Sequence, residues 1–66
     1  MELKVNGESQ TLSSPMRLSE FLEKHELKER LVVVELNREI IPRPRYSETV
    51  LREGDEIEIV QMMAGG

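Results

Sequence analysis

Cysteine and tryptophan are absent from this chain, and it has a single tyrosine and a single phenylalanine. Without cysteine there is no disulfide framework, no cysteine-type zinc site and no thiol nucleophile. No apolar run is long enough for a membrane span or a signal peptide, so a cytoplasmic location is expected by default. Basic residues are also in the minority. Nine Lys and Arg stand against 13 Asp and Glu, a formal charge of -4. That balance disfavours nucleic acid, because phosphate binding needs clustered cations. Sixty-six residues make one domain, too small to hold both a core and a deep cofactor cavity. A binding or carrier module is expected rather than a self-contained enzyme, with no bound cofactor and no metal.

Strand and helix signals follow in order. Leu3 and Val5 alternate with polar residues, which is strand period. Asn6-Gly7 is a strong hairpin signal, since a type I′ turn needs positive φ at both central positions. Glu8–Leu12 returns, with Val5 facing Glu8 and Leu3 facing Gln10. This second strand offers little beyond Leu12 to a core and is expected toward a sheet edge. Ser14-Pro15 is a possible helix start, but the apolar stripe begins at Leu18 and continues through Phe21 and Leu22 to His25. The helix is therefore expected over residues 18–25, with Leu27 packing just beyond it.

Leu31–Leu36 is nearly continuously apolar and reads as a central strand, buried on both sides for part of its length. Asn37-Arg38-Glu39 reads as a turn and Ile40-Ile41 as a short strand stopped by Pro42. Arg43-Pro44-Arg45-Tyr46 reads as irregular, since each proline disfavours helix in the residue before it. Thr49-Val50-Leu51 leads into a Glu53-Gly54-Asp55 turn. Glu56–Val60 alternates again, with Ile57 and Ile59 inward. The first and last strands are expected to pair in parallel through the helical crossover. The implied fold is α+β: a β-grasp with a mixed four- to five-stranded sheet and one main helix across one face. Residues 1–61 form the domain and residues 62–66 a flexible tail.

That tail ends in Ala64-Gly65-Gly66. Glycine loses more freedom on ordering than any other residue, so a terminal pair adds nothing to a fold. It does give a slim peptide ending in a carboxylate that fits a channel too narrow for side chains. An α-carboxyl titrates near 3.3–3.7, so Gly66 is expected to be an anion at neutral pH.

Several of these features together resemble a known family. They are Asn6-Gly7, the Asn37–Arg43 stretch with its Ile40-Ile41-Pro42, Tyr46, Gly54-Asp55 and Ala64-Gly65-Gly66. Over its whole length the chain is similar to the sulfur carrier proteins of thiamin biosynthesis, the ThiS family of ubiquitin-like β-grasp proteins. Relatives often carry a Thr-like cap at the helix start, where this chain has Arg17.

The resemblance implies a mechanism. A ThiF-type adenylyltransferase joins the C-terminal carboxylate of Gly66 to AMP, consuming ATP. A sulfur donor system such as a cysteine desulfurase then supplies sulfur to make a thiocarboxylate. A ThiG-type thiazole synthase takes that sulfur for the thiazole ring. Ala64, Gly65 and Gly66 would enter the partner active sites. The chain would thus be a protein co-substrate with no catalytic residues of its own. The alternatives are a carrier of the molybdopterin-synthase small-subunit type, a ubiquitin-like protein modifier and a plain interaction domain.

Val60, Met62 and Met63 are candidate docking residues, because thioether side chains adapt to partner surfaces. Arg43 is a candidate for a salt bridge to a partner and Tyr46 for an aromatic anchor. The competing expectations are a solvated loop for Arg43 and Arg45 and an ordinary core position for Tyr46. His25 has no neighbouring group in sequence that would give it a catalytic or metal role, and the helix Glu and Lys residues read as a wet face.

Overall fold

The computed structural model describes residues 1–62. Its main sheet is built from β1 (Glu2–Val5), β2 (Glu8–Thr11), β4 (Val32–Leu36), β5 (Glu39–Ile40) and β7 (Glu56–Gln61) in the order β2-β1-β7-β4-β5. β1 and β7 pair in parallel through Lys4↔Glu56 and Val5↔Ile57, and the other neighbours are antiparallel. A parallel pair needs a long crossover. The chain between β1 and β7 supplies it, including helix α1 (Leu18–Lys24). This is the expected β-grasp, with β2 at one edge.

The core lies between α1 and one face of the sheet. Leu18, Phe21 and Leu22 of the helix meet Leu3, Val5, Val32, Val34 and Ile57 of the strands, and Leu12, Leu51 and Tyr46 close the sides. Each strand alternates, so its intervening side chains point to the opposite face.

The β4 expectation is corrected here. Val32 and Val34 are buried, but Val33 between them is 38% exposed. Only one face of β4 is covered. A run of β-branched residues does not distinguish two-sided burial from a half-open strand.

A second, two-stranded sheet pairs β3 (Met16–Arg17) with β6 (Val50–Leu51). It was not expected, because two residues are too few to show a period. This small sheet brings the 46–49 loop over the start of the helix. Leu18 N–H donates to the Thr49 carbonyl at 2.7 Å and Ser19 N–H to the Tyr46 carbonyl at 3.1 Å. Tertiary carbonyls thus satisfy helix donors that a Thr cap often serves. Glu20 adds the reciprocal half of a capping box, its Oε1 accepting the Arg17 N–H at 2.8 Å.

The helix ends at Lys24, one residue earlier than expected. Glu26 is left-handed at φ 58°, Glu26 N–H donates to the Glu23 carbonyl, and Leu27 N–H reaches back to Leu22 at 2.8 Å. That is a Schellman ending, and it turns Leu27 back against the core. His25 is exposed, with its ring edge-on to Phe21 at 4.3 Å.

Two further boundaries move. The β4–β5 turn is the two-residue Asn37-Arg38, at φ 51° and 72°, so β5 begins at Glu39 and Ile41 lies outside it. Arg43–Arg45, expected to be irregular, forms one turn of 3-10 helix after Pro42. Arg43 precedes a proline yet is helical, because a single tight turn overrides the local preference.

Candidate functional site

The C-terminal strand β7 is the element that leads into the glycine-ended tail, and four parts of the chain hold it. β4 pairs along it from Leu36↔Ile57 to Val32↔Gln61. The pairing extends one step further, where Met62 N–H donates to the Leu31 carbonyl at 2.7 Å. β1 pairs on the other side at Glu56 and Ile57. The remaining two holds are asparagine side chains. Asn37 Oδ1 accepts the Glu56 N–H at 3.0 Å, and Asn6 Oδ1 accepts the Ile59 N–H at 2.8 Å.

Both asparagines occupy the first central position of a two-residue turn, at φ 51° and 52°. Asparagine tolerates the left-handed region better than most residues. Its carboxamide also brings a donor and an acceptor. Asn37 uses the donor on Asp55 Oδ1 at 3.1 Å, while Asp55 Oδ2 accepts the Arg52 N–H at 2.8 Å. The Gly54 turn, with φ 84° at the glycine, is thereby tied to the β4–β5 turn. These roles were not read from the sequence. Asn6-Gly7 and Asn37 were legible as turns, but nothing local says where a turn side chain will reach.

Among the described residues none covers the face of the sheet away from α1. Val33 and Val60 are cross-strand partners there, and Met62 follows two residues after Val60. Val60 is 62% exposed and Met62 46%. Glu35 and Glu58 form the next pair on this face, and Ile40, 67% exposed, lies across from Glu35. An apolar spot therefore sits where the chain leaves the sheet, bordered by carboxylates. Val33 and Ile40 were missed, although strict alternation through β4 would have pointed to Val33.

The other docking candidates separate. Arg43 and Arg45 are exposed on the 3-10 turn. Tyr46 is not a surface anchor, because only 2% of it is exposed and it belongs to the core. Burial pushes its phenol above the ordinary value of 10.0, with a backbone hydrogen bond to Val34 acting in the opposite direction. Met63, Ala64, Gly65 and Gly66 lie outside the described residues. Among the described residues no cluster of three His, Cys, Asp or Glu is arranged to hold a metal ion, and no helix is long and apolar enough to cross a membrane.

Known proteins are similar to this chain in architecture and in sequence. The crystal structure of a thiamine biosynthesis protein (ThiS) from Geobacter metallireducens superposes with a TM-score of 0.85, at 32% identity and with full coverage of both chains. The sulfur carrier protein ThiS of Bacillus subtilis is 41% identical over 49 residues, 74% of each chain. A thiazole synthase from Paramagnetospirillum magneticum is 36% identical over 66 residues, all of this chain but only 20% of that protein. This chain thus spans one fifth of that relative's length. A model of the ThiS family matches residues 3–66, and the chain belongs to that family.

Proposed function

We propose that this protein is a sulfur carrier for thiazole formation in thiamin biosynthesis, with the carboxylate of Gly66 as the group that is activated. The family match carries this reading, because it runs through Gly66 itself. The likeness to part of a thiazole synthase supports the same pathway. In that relative a segment similar to this chain is part of a polypeptide named thiazole synthase.

The chemistry starts from a poor acyl donor. A Gly66 carboxylate oxygen attacks the α-phosphorus of ATP on a ThiF-type adenylyltransferase and pyrophosphate leaves. The resulting acyl adenylate has a good leaving group. The outer sulfur of a donor persulfide, such as that of a cysteine desulfurase, attacks the carbonyl carbon and expels AMP, giving an acyl disulfide. A partner thiol then attacks the enzyme-side sulfur, forming a partner disulfide and releasing the acyl sulfur. The product is a thiocarboxylate, and a ThiG-type thiazole synthase is the acceptor of its sulfur. This chain has no cysteine, so the sulfur nucleophile comes from a partner.

The open face is the proposed docking surface. Val60, Met62 and Val33 supply apolar contact beside the exit of β7, and Glu35 and Glu58 favour a partner with a basic rim. The activation step is tested by pyrophosphate release from ATP on a ThiF-type enzyme. Release should depend on this chain and vanish when the Gly66 carboxylate is blocked as an amide. Release that persists with the amide would rule out that carboxylate as the acceptor.

A further inference from the structure

The two sides of β7 are held to different lengths. On the β4 side main-chain pairing continues past Gln61 to Met62. On the β1 side it stops early, and the last main-chain bond runs from the Asn6 N–H to the Ile57 carbonyl at 2.8 Å. Beyond that point the Asn6 side chain replaces a strand. Its Oδ1 accepts the Ile59 N–H at 2.8 Å and its Nδ2 donates toward the Ile59 carbonyl at 3.4 Å. The short contact to an N–H fixes which end of the amide faces it. Strand alternation turns the peptide groups of Gln61 to this same side, where no described residue meets them. Ile59 is thus the last residue of the exit strand held from both sides.

We propose that Asn6 is a positioning residue for the tail, fixing the direction in which β7 presents its C-terminal residues to the activating enzyme. This rests on the carrier reading above. The reacting carboxylate is at Gly66, seven residues beyond Ile59. A strand held on one side only at Ile59 twists and bends more freely, and that spread is carried into everything after it. Misplacement of a reacting group by about 1 Å is enough to cost on the order of 100-fold in rate. Asparagine suits both demands of the position. It accepts φ 52°, and its short amide presents one donor and one acceptor to the N–H and C=O of one residue, Ile59.

The test uses the full chain, as wild type and as Asn6→Gly and Asn6→Asp. Glycine keeps the turn backbone and removes both side-chain bonds. Aspartate keeps the acceptor for the Ile59 N–H. Two quantities are measured: hydrogen exchange of the Ile59 amide in the free chain, and kcat and KM for the chain as substrate of its adenylating enzyme. In Asn6→Gly the Ile59 amide should exchange about tenfold faster, the equivalent of one lost hydrogen bond. The kcat should fall about tenfold, more than any change in KM. Asn6→Asp should recover most of the protection and most of kcat. Unchanged exchange in Asn6→Gly would overturn the proposal, and so would faster exchange with unchanged kcat. A kcat loss that persists in Asn6→Asp despite restored protection would also overturn it. If the wild-type chain itself is not adenylated, the carrier reading falls and this proposal with it. An active wild type matched by Asn6→Gly removes this proposal alone.

Discussion

On β7, Ile57 is 1% exposed and Val60, three residues later, is 62% exposed. The two side chains lie on opposite faces of one sheet. The covered face holds nearly all the apolar burial of a small domain. The open face holds an apolar spot that no described residue covers, next to the exit of β7. If the open face is the docking surface proposed above, stability and recognition fall on different sides of the same strands, and substitutions on the two sides should have separable effects.

The sharpest break is on the covered side. Phe21 is the only phenylalanine and is fully buried. Phe21→Ala should cost about 3–5 kcal/mol. The whole domain is expected to have only about 3–10 kcal/mol. Urea titration should find this variant largely unfolded or close to it. A loss under 1 kcal/mol would show that the helix–sheet interface is not the source of stability.

Val60→Asp makes the matching change on the open side. Its unfolding midpoint should shift by no more than the equivalent of about 1 kcal/mol, while affinity for the adenylating enzyme drops about tenfold or more. Calorimetric titration checks the second part. Unchanged affinity with an intact fold would remove the open face from docking.

A third, smaller effect lies in the turns that border the two faces. Asn6-Gly7 has glycine at φ 84°, but Asn37-Arg38 holds an arginine at φ 72°. A left-handed conformation costs an L-residue about 1–2 kcal/mol. Arg38→Gly relieves that strain but gives the unfolded chain more freedom. The net should be a gain of about 0.5–1 kcal/mol, read as a higher unfolding midpoint. A loss would mean that the Arg38 side chain contributes more than its backbone costs.

The smallest effect is confined to alkaline solution. Burial raises the Tyr46 pKa above 10.0, so the neutral phenol is favoured in the fold. Its stabilising contribution is complete below about pH 10, the unfolded value, and is lost as pH rises from there through the folded value. The stability difference between wild type and Tyr46→Phe should be flat up to about pH 10 and then shift against the wild type. A difference that stays constant through alkaline pH would contradict a buried phenol.

Much of this architecture was legible because it is local. Asn6-Gly7, the apolar stripe from Leu18 to His25 and the alternation of residues 56–60 each state their own structure, the helix ending one residue short of that stripe. What was not legible depends on distant partners. The β3–β6 pair has two residues in each strand. The helix start needs the carbonyls of Tyr46 and Thr49. The exposure of Val33 depends on which face of the sheet the helix covers. Tyr46 looked equally suited to surface and core, because an aromatic beside two arginines carries no sign of its direction. The site shows the same division. Val60 and Met62 were read from their place at the end of a strand. The long reach of the Asn6 and Asn37 side chains was not.

The central claim is that this fold presents Gly66 as the bearer of activated sulfur. The direct measurement is intact mass of the chain after incubation with a ThiF-type enzyme, ATP and a sulfur source, followed by fragmentation to locate the change. The expected result is replacement of one oxygen by one sulfur, assigned to Gly66 and absent without ATP. An unchanged mass with an active enzyme, or sulfur located at another residue, would contradict the claim.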